Sequence, residues 1–152
     1  QLDKIYFKDD HSIFYAYVKD PDVGKVMLSV DLYSHNKHLF IDYINYHKEL
    51  ILDLNKKMLI LDNGKPIYLF GAHIFAQYLI SFGLNTDKIV CLLDNDEKKQ
   101  GKRLYGSNLS VESPKILKDA KDPVVILKAG VYNEEIKLDI ILNINSEAIF
   151  LE

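Results

Sequence analysis

The spacing of apolar positions changes near residue 34 and again near residue 62. Before the first change, Tyr6 and Phe7 are followed by Ile13, Tyr15 and Tyr17 on one face and Phe14, Ala16 and Val18 on the other. That two-residue alternation predicts extended chain. Asp20-Pro21-Asp22-Val23-Gly24 supplies a turn, Pro fixing φ and Gly permitting a positive one, and Val26–Val30 is read as a returning strand. A ribbon of this size buries too little to stand alone. Residues 1–33 are therefore expected to be an extended β ribbon, the tail end of an upstream domain. Across 34–61, Leu39, Phe40, Tyr43, Ile44, His47, Leu50, Ile51 and Leu54 recur at three- and four-residue intervals. They predict one long amphipathic helix, started by Ser34 or Asn36 as cap and stopped by Asp62-Asn63-Gly64 with Pro66 beyond.

Residues 62–152 alternate short apolar runs with helical periods. Ile67–Phe70, Ile89–Leu93, Val124–Leu127 and Ala148–Leu151 read as strands. Ile74–Phe82, a short segment opened by Ser113-Pro114 and reaching Ala120, and Glu134–Leu142 read as helices. Buried strands alternating with amphipathic helices imply a mostly parallel sheet covered on both faces. The expected class is α/β, a three-layer Rossmann-like domain preceded by the long helix and the N-terminal ribbon.

Composition narrows the function classes. The 152 residues are 48% hydrophobic and 27% charged, enough apolar content to outweigh chain entropy. With 19 Lys and Arg against 22 Asp and Glu, the net charge is −3, which argues against nucleic acid or an anionic membrane as partner. No apolar run approaches the length of a membrane span and no signal-peptide pattern opens the chain, so a cytoplasmic location is expected. Cys91 stands alone inside an apolar strand, which excludes an internal disulfide and points to an inert core thiol. The first residue is Gln1, read as the start of a piece cut from something longer.

The candidate chemistry lies where strands end. Phe70-Gly71-Ala72-His73-Ile74-Phe75-Ala76 has the layout of a dinucleotide-binding turn, with Gly71 in the first glycine position and Ala76 in the third. His73 stands in the middle position, where its side chain intrudes on the space of a pyrophosphate, so bound NAD is not expected. Two readings stay open: His73 at a helix N-terminus serves an anion or sugar-phosphate site, or the segment is a plain turn. Asp94 follows Gly71 by 23 residues, the spacing of a ribose-binding acid, but Asp94-Asn95-Asp96 also suits a turn. The basic stretch Glu97–Arg103 is either a phosphate contact or a solvated loop. Lys128, Tyr132 and Asn133, after the third strand, either face the Gly71 turn across the point where strand order reverses and line a crevice, or Gly130 is just a bend before the next helix. The candidate substrate-binding set is Gly71, His73, Asp94, Lys128 and Tyr132. No catalytic, cofactor-binding or metal-ligating residue is assigned. His35 and His38 lack a third ligand pattern, and no nucleophile elbow, phosphate loop or kinase triplet occurs.

Three features carry a family resemblance: the Gly-Ala turn after a strand, Ile89–Leu93 running into Asp-Asn-Asp-Glu-Lys-Lys-Gln-Gly-Lys-Arg-Leu-Tyr-Gly and then Ser-Pro, and the later Val-Val-Ile-Leu with Tyr-Asn-Glu-Glu-Ile. Together with the long preceding helix, this order resembles the C-terminal Rossmann-like domain of S-adenosylmethionine-dependent methyltransferases, notably the sugar C-methyltransferase family. The resemblance covers residues 34–152 well and 1–33 poorly. Asp10–Tyr15 has the place of a strand that begins His-Gly-Gly-Ser in that family but lacks its two glycines, and His73 replaces a small residue in the turn. The resemblance implies that S-adenosylmethionine and the catalytic residues belong to an upstream methyltransferase domain, with this chain on the side of a sugar-nucleotide substrate. An isolated chain is then expected to be inactive. A non-catalytic interaction module, or a nucleotide-sugar-binding Rossmann domain of another sugar-modifying enzyme, is the alternative.

Overall fold

A computed structural model describes residues 3–7, 12–19, 21–22, 32–61 and 64–152. The chain divides into two compact units, 1–42 and 43–152. In the first, β1 (Asp3–Phe7) pairs antiparallel with β2 (Ser12–Ala16), Ile5 opposite Phe14. Pro21 and Asp22 form a turn, whereas Val26–Val30, expected to return as a strand, lie outside the described residues.

The long helix, α1, runs from Leu32 to Leu61. Ser34 and Asn36 therefore lie inside its first turns rather than capping it, and the Ser34 carbonyl is 2.8 Å from Nδ1 of His38. Within the second unit Ile51, Leu54 and Met58 of α1 are buried, with Leu50 and Leu61 packed against the same core.

The second unit holds a five-stranded, all-parallel sheet in the order β5-β4-β3-β6-β7. The strands are β3 (Ile67–Phe70), β4 (Ile89–Leu93), β5 (Val111–Glu112), β6 (Val124–Leu127) and β7 (Ile149–Leu151). Chain order runs outward from β3 to one edge, then restarts at β6 on its other side. The β3–β6 junction is thus a topological switch point, where a crevice opens beyond the carboxyl ends of the strands.

Alternate side chains of each strand enter opposite layers. Ile67 and Leu69 of β3 with Val124 and Ile126 of β6 pack under α1 and α2 (Ile74–Ser81). Tyr68, Phe70, Val125 and Leu127 pack under a 3-10 helix, Pro114–Asp119, and under α3 (Asn133–Asp139) with the π turn Ile140–Ile144 that continues it. This is a three-layer α/β/α sandwich. Ser113 caps the 3-10 helix by accepting the Lys115 N–H, with Pro114 at its first position. Cys91 is buried, and burial followed by the nearby Glu112 pushes its thiol up to about 11, consistent with a packing role.

Two asparagines fasten loops to this frame. Asn55 on α1 donates to the Gly83 carbonyl at 2.9 Å and accepts the Asn85 N–H at 2.8 Å. Asn145 donates to the carbonyls of Leu117 and Ala120 and accepts the Glu147 N–H.

Candidate functional site

The β3–α2 turn and the end of β4 are brought together. Gly71 has φ 98°, a left-handed conformation that favours glycine, and its N–H donates to the Leu93 carbonyl at 2.7 Å. Ala72 N–H then donates to Oδ2 of Asp94 at 2.8 Å. Asp94 also accepts the Asp96 N–H on Oδ1 and the Lys99 ammonium on Oδ2, each at 2.9 Å. Burial alone would raise the Asp94 pKa, but these three donors outweigh it and hold the carboxyl below its ordinary value.

His73 is the N-cap of α2. Its Nδ1 accepts the Phe75 N–H at 3.2 Å, which places the ring proton on Nε2. The imidazole folds back over Gly71, so closely that a Cβ there would collide with it, and meets the Phe75 ring edge-on at 5.4 Å. Burial lowers the His73 pKa, the Lys99 charge lowers it further, and Asp94 pulls weakly the other way. The neutral ring is the form the cap requires.

Lys128 lies elsewhere in the crevice region. A cavity of about 280 Å³ is walled by Tyr43, Tyr46 and His47 of α1 and by Phe75, Tyr78 and Phe82 on or just beyond α2. Lys128, Gly130 and Asn133 also line it, over a floor that includes Leu50, Ile51 and Leu79. Tyr43 and His47 meet edge-on at 4.3 Å, and Tyr78 stacks with Phe82 at 6.3 Å. Asn133 is held in place, accepting the Ala129 N–H and donating to the Leu127 carbonyl. The Lys128 ammonium is half-buried, and that burial lowers its pKa. The carboxylates it senses, Glu152 and Asp53, are already paired with Lys137 and Lys57. Among the described residues no hydrogen bond or ion pair reaches its Nζ, so its donor capacity is not used within the fold.

Of the set expected from sequence, Gly71, His73 and Asp94 thus form one cluster, and Lys128 lines the aromatic cavity with Asn133. Tyr132 sits on the same loop as Lys128 but is not part of the lining. Phe75 belongs to both clusters by contact. The aromatic walls were hidden in the sequence because Tyr43 and His47 share the spacing of the apolar stripe that predicts the helix. Lys99 was hidden inside a charged loop.

A larger crevice, about 610 Å³, lies beyond β4 and β5 and is lined by polar side chains including Asn95, Gln100, Ser113 and Asn143. Several of these are satisfied internally, Gln100 by the Asp94 carbonyl and Asn143 by Asp139. In the smaller cavity, aromatic rings and the half-buried Lys128 ammonium line one space.

An all-parallel sheet covered by helices on both faces defines a Rossmann-like α/β domain. A family model of the C-methyltransferase C-terminal domain matches residues 32–143, and the chain belongs to that family. No curated protein shows significant similarity to it. Among the described residues no helix is long and apolar enough to cross a membrane.

The family suggests dependence of the full protein on S-adenosylmethionine. The residues present do not fit that donor. The Gly71 turn is covered by His73, and the acid that would take its ribose hydroxyls is bound to Lys99.

Proposed function

We propose that this chain is the substrate-side domain of an S-adenosylmethionine-dependent methyltransferase acting on a sugar nucleotide, with donor binding and catalysis in an upstream domain. The observation that carries the reading is the aromatic cavity ending on the unpaired ammonium of Lys128. Flat rings on both walls offer stacking faces to a base, and a half-desolvated lysine attracts phosphate more strongly than an exposed one. At about 280 Å³ the cavity is near the lower end of ligand pockets, roughly 300–1,000 Å³. It holds one ring with its phosphates and leaves the rest of the ligand outside.

The chain's contribution is then binding and orientation. Holding the nucleotide end fixes where the sugar lies, so methyl transfer proceeds from a bound and aligned pair rather than by encounter. Lys128 offsets phosphate charge, Asn133 braces the loop that carries it, and Tyr132 on that loop is a candidate rim contact. Gly71, His73 and Asp94 act through the turn that fixes Phe75.

Calorimetric titration of the chain tests this. A uridine or thymidine diphosphate sugar is expected to bind, Lys128→Met to weaken binding about tenfold, equivalent to about 1.4 kcal/mol, and S-adenosylmethionine to give no heat. No heat from any sugar nucleotide would favour the interaction-module reading instead.

A further inference from the structure

The β3–α2 turn has the outline of a dinucleotide site whose two anchor points are filled from within. In such a turn the pyrophosphate lies over the first glycine, against free N–H groups of the next helix, and the acid ending the second strand takes ribose hydroxyls. Here the His73 ring covers Gly71 and uses the Phe75 N–H for its own Nδ1. At the other anchor, Lys99 Nζ sits 2.9 Å from Oδ2 of Asp94, where a hydroxyl donor would sit. Asp94 is only 7% exposed, and its remaining bonds to Ala72 and Asp96 tie it to backbone.

We propose that His73 and Lys99 are specificity-determining residues that close this turn to dinucleotides. The imidazole takes the volume of the diphosphate, and the ammonium takes the hydrogen bond of the ribose. The two reinforce each other, because a ring over Gly71 and a cation on Asp94 block opposite halves of one ligand. Rejecting an abundant wrong ligand by filling its seat is specificity by obstruction, which needs no added affinity for the right one. Exclusion at the turn is independent of what occupies the cavity, so this inference does not stand or fall with the proposed substrate.

The test is a gain of binding. His73→Ser keeps an N-cap oxygen for α2 while emptying the space over Gly71. Lys99→Ala releases the carboxylate. Amide chemical shifts of wild type, both single variants and the double variant would be followed during titration with NAD, with thermal unfolding as the check on folding. The wild type is expected to show no shift at Gly71, Ala72 or Asp94. The folded double variant is expected to shift at these amides and to bind NAD at least about tenfold more tightly than wild type. NAD-induced shifts of the turn in wild type would overturn the proposal, and so would a folded double variant whose turn amides stay silent. If the double variant is unfolded, His73→Ser alone decides by the same turn amides.

Discussion

The carboxylate of Asp94 accepts the Ala72 N–H at 2.8 Å, joining the end of β4 to the turn that follows β3. One buried acid thereby sets the relative height of two parallel strands at the edge where the site lies. It also collects the Asp96 N–H and the Lys99 ammonium. Removing it strands two backbone donors at once. Asp94→Ala is expected to cost about 2–4 kcal/mol, since bonds to a charged acceptor are worth about 1.5–3 kcal/mol each and two part-buried backbone donors lose theirs together. Urea unfolding of the variant checks this.

Acid should loosen the same turn by a second route. The His73 pKa is lowered in the fold, first by burial and then by Lys99. As pH falls below its ordinary value of 6.5, the unfolded chain takes up the proton before the folded one does. The contribution of the neutral ring is therefore complete above pH 6.5 and is lost as pH falls through the folded value. His73→Asn keeps a side-chain acceptor for the Phe75 N–H and does not titrate. It is expected to flatten the pH dependence of the melting temperature just below pH 6.5. An unchanged profile would mean that the cap does not sense protonation.

Asn55 offers a mutational test of the α1 packing. Its amide serves both the Gly83 carbonyl and the Asn85 N–H, so both ends of the amide are used. Asn55→Ala is expected to destabilise by about 1–2 kcal/mol. Asn55→Asp should not restore stability, because a carboxylate can accept from Asn85 but faces the Gly83 carbonyl with no proton. Equal unfolding midpoints for Asp and wild type would contradict the assigned bonds.

The sheet was legible in the sequence where strands are apolar on both faces, buried throughout in β3 and β6 and everywhere but Val90 in β4. Ile67–Phe70, Ile89–Leu93 and Val124–Leu127 are continuous apolar runs, and each is a strand within those bounds. β5 was missed because Val111–Glu112 is two residues long, too short to show a period, and owes its form to pairing with Leu92 and Leu93. The helix expected over Glu134–Leu142 instead changes to a π turn at Ile140, where Asn145 N–H donates to the Ile140 carbonyl. The switch-point crevice followed from strand and helix order. Its aromatic walls did not, since an aromatic at helical spacing reads as core until the structure leaves it exposed, as it does Tyr43.

The N-terminal ribbon should be the first element to open. β2 presents Ile13, Phe14 and Tyr15 each more than 40% exposed, and two strands alone retain little buried surface. Amides of Ser12–Ala16 are expected to exchange with solvent far faster than those of Ile89–Leu93, whose strand is paired on both sides within the five-stranded sheet. Equal protection would mark the ribbon as an integral part of the folded core.

The central claim is that the aromatic cavity ending on Lys128 receives the nucleotide end of the substrate. The most direct measurement is a titration of the chain with a uridine or thymidine diphosphate sugar, followed by amide and aromatic chemical shifts. The account predicts saturable shifts at Phe75, Tyr78, Gly130 and Asn133 that weaken about tenfold in Lys128→Met. Shifts confined to the polar crevice of Asn95, Ser113 and Asn143, or no shifts at all, would contradict it.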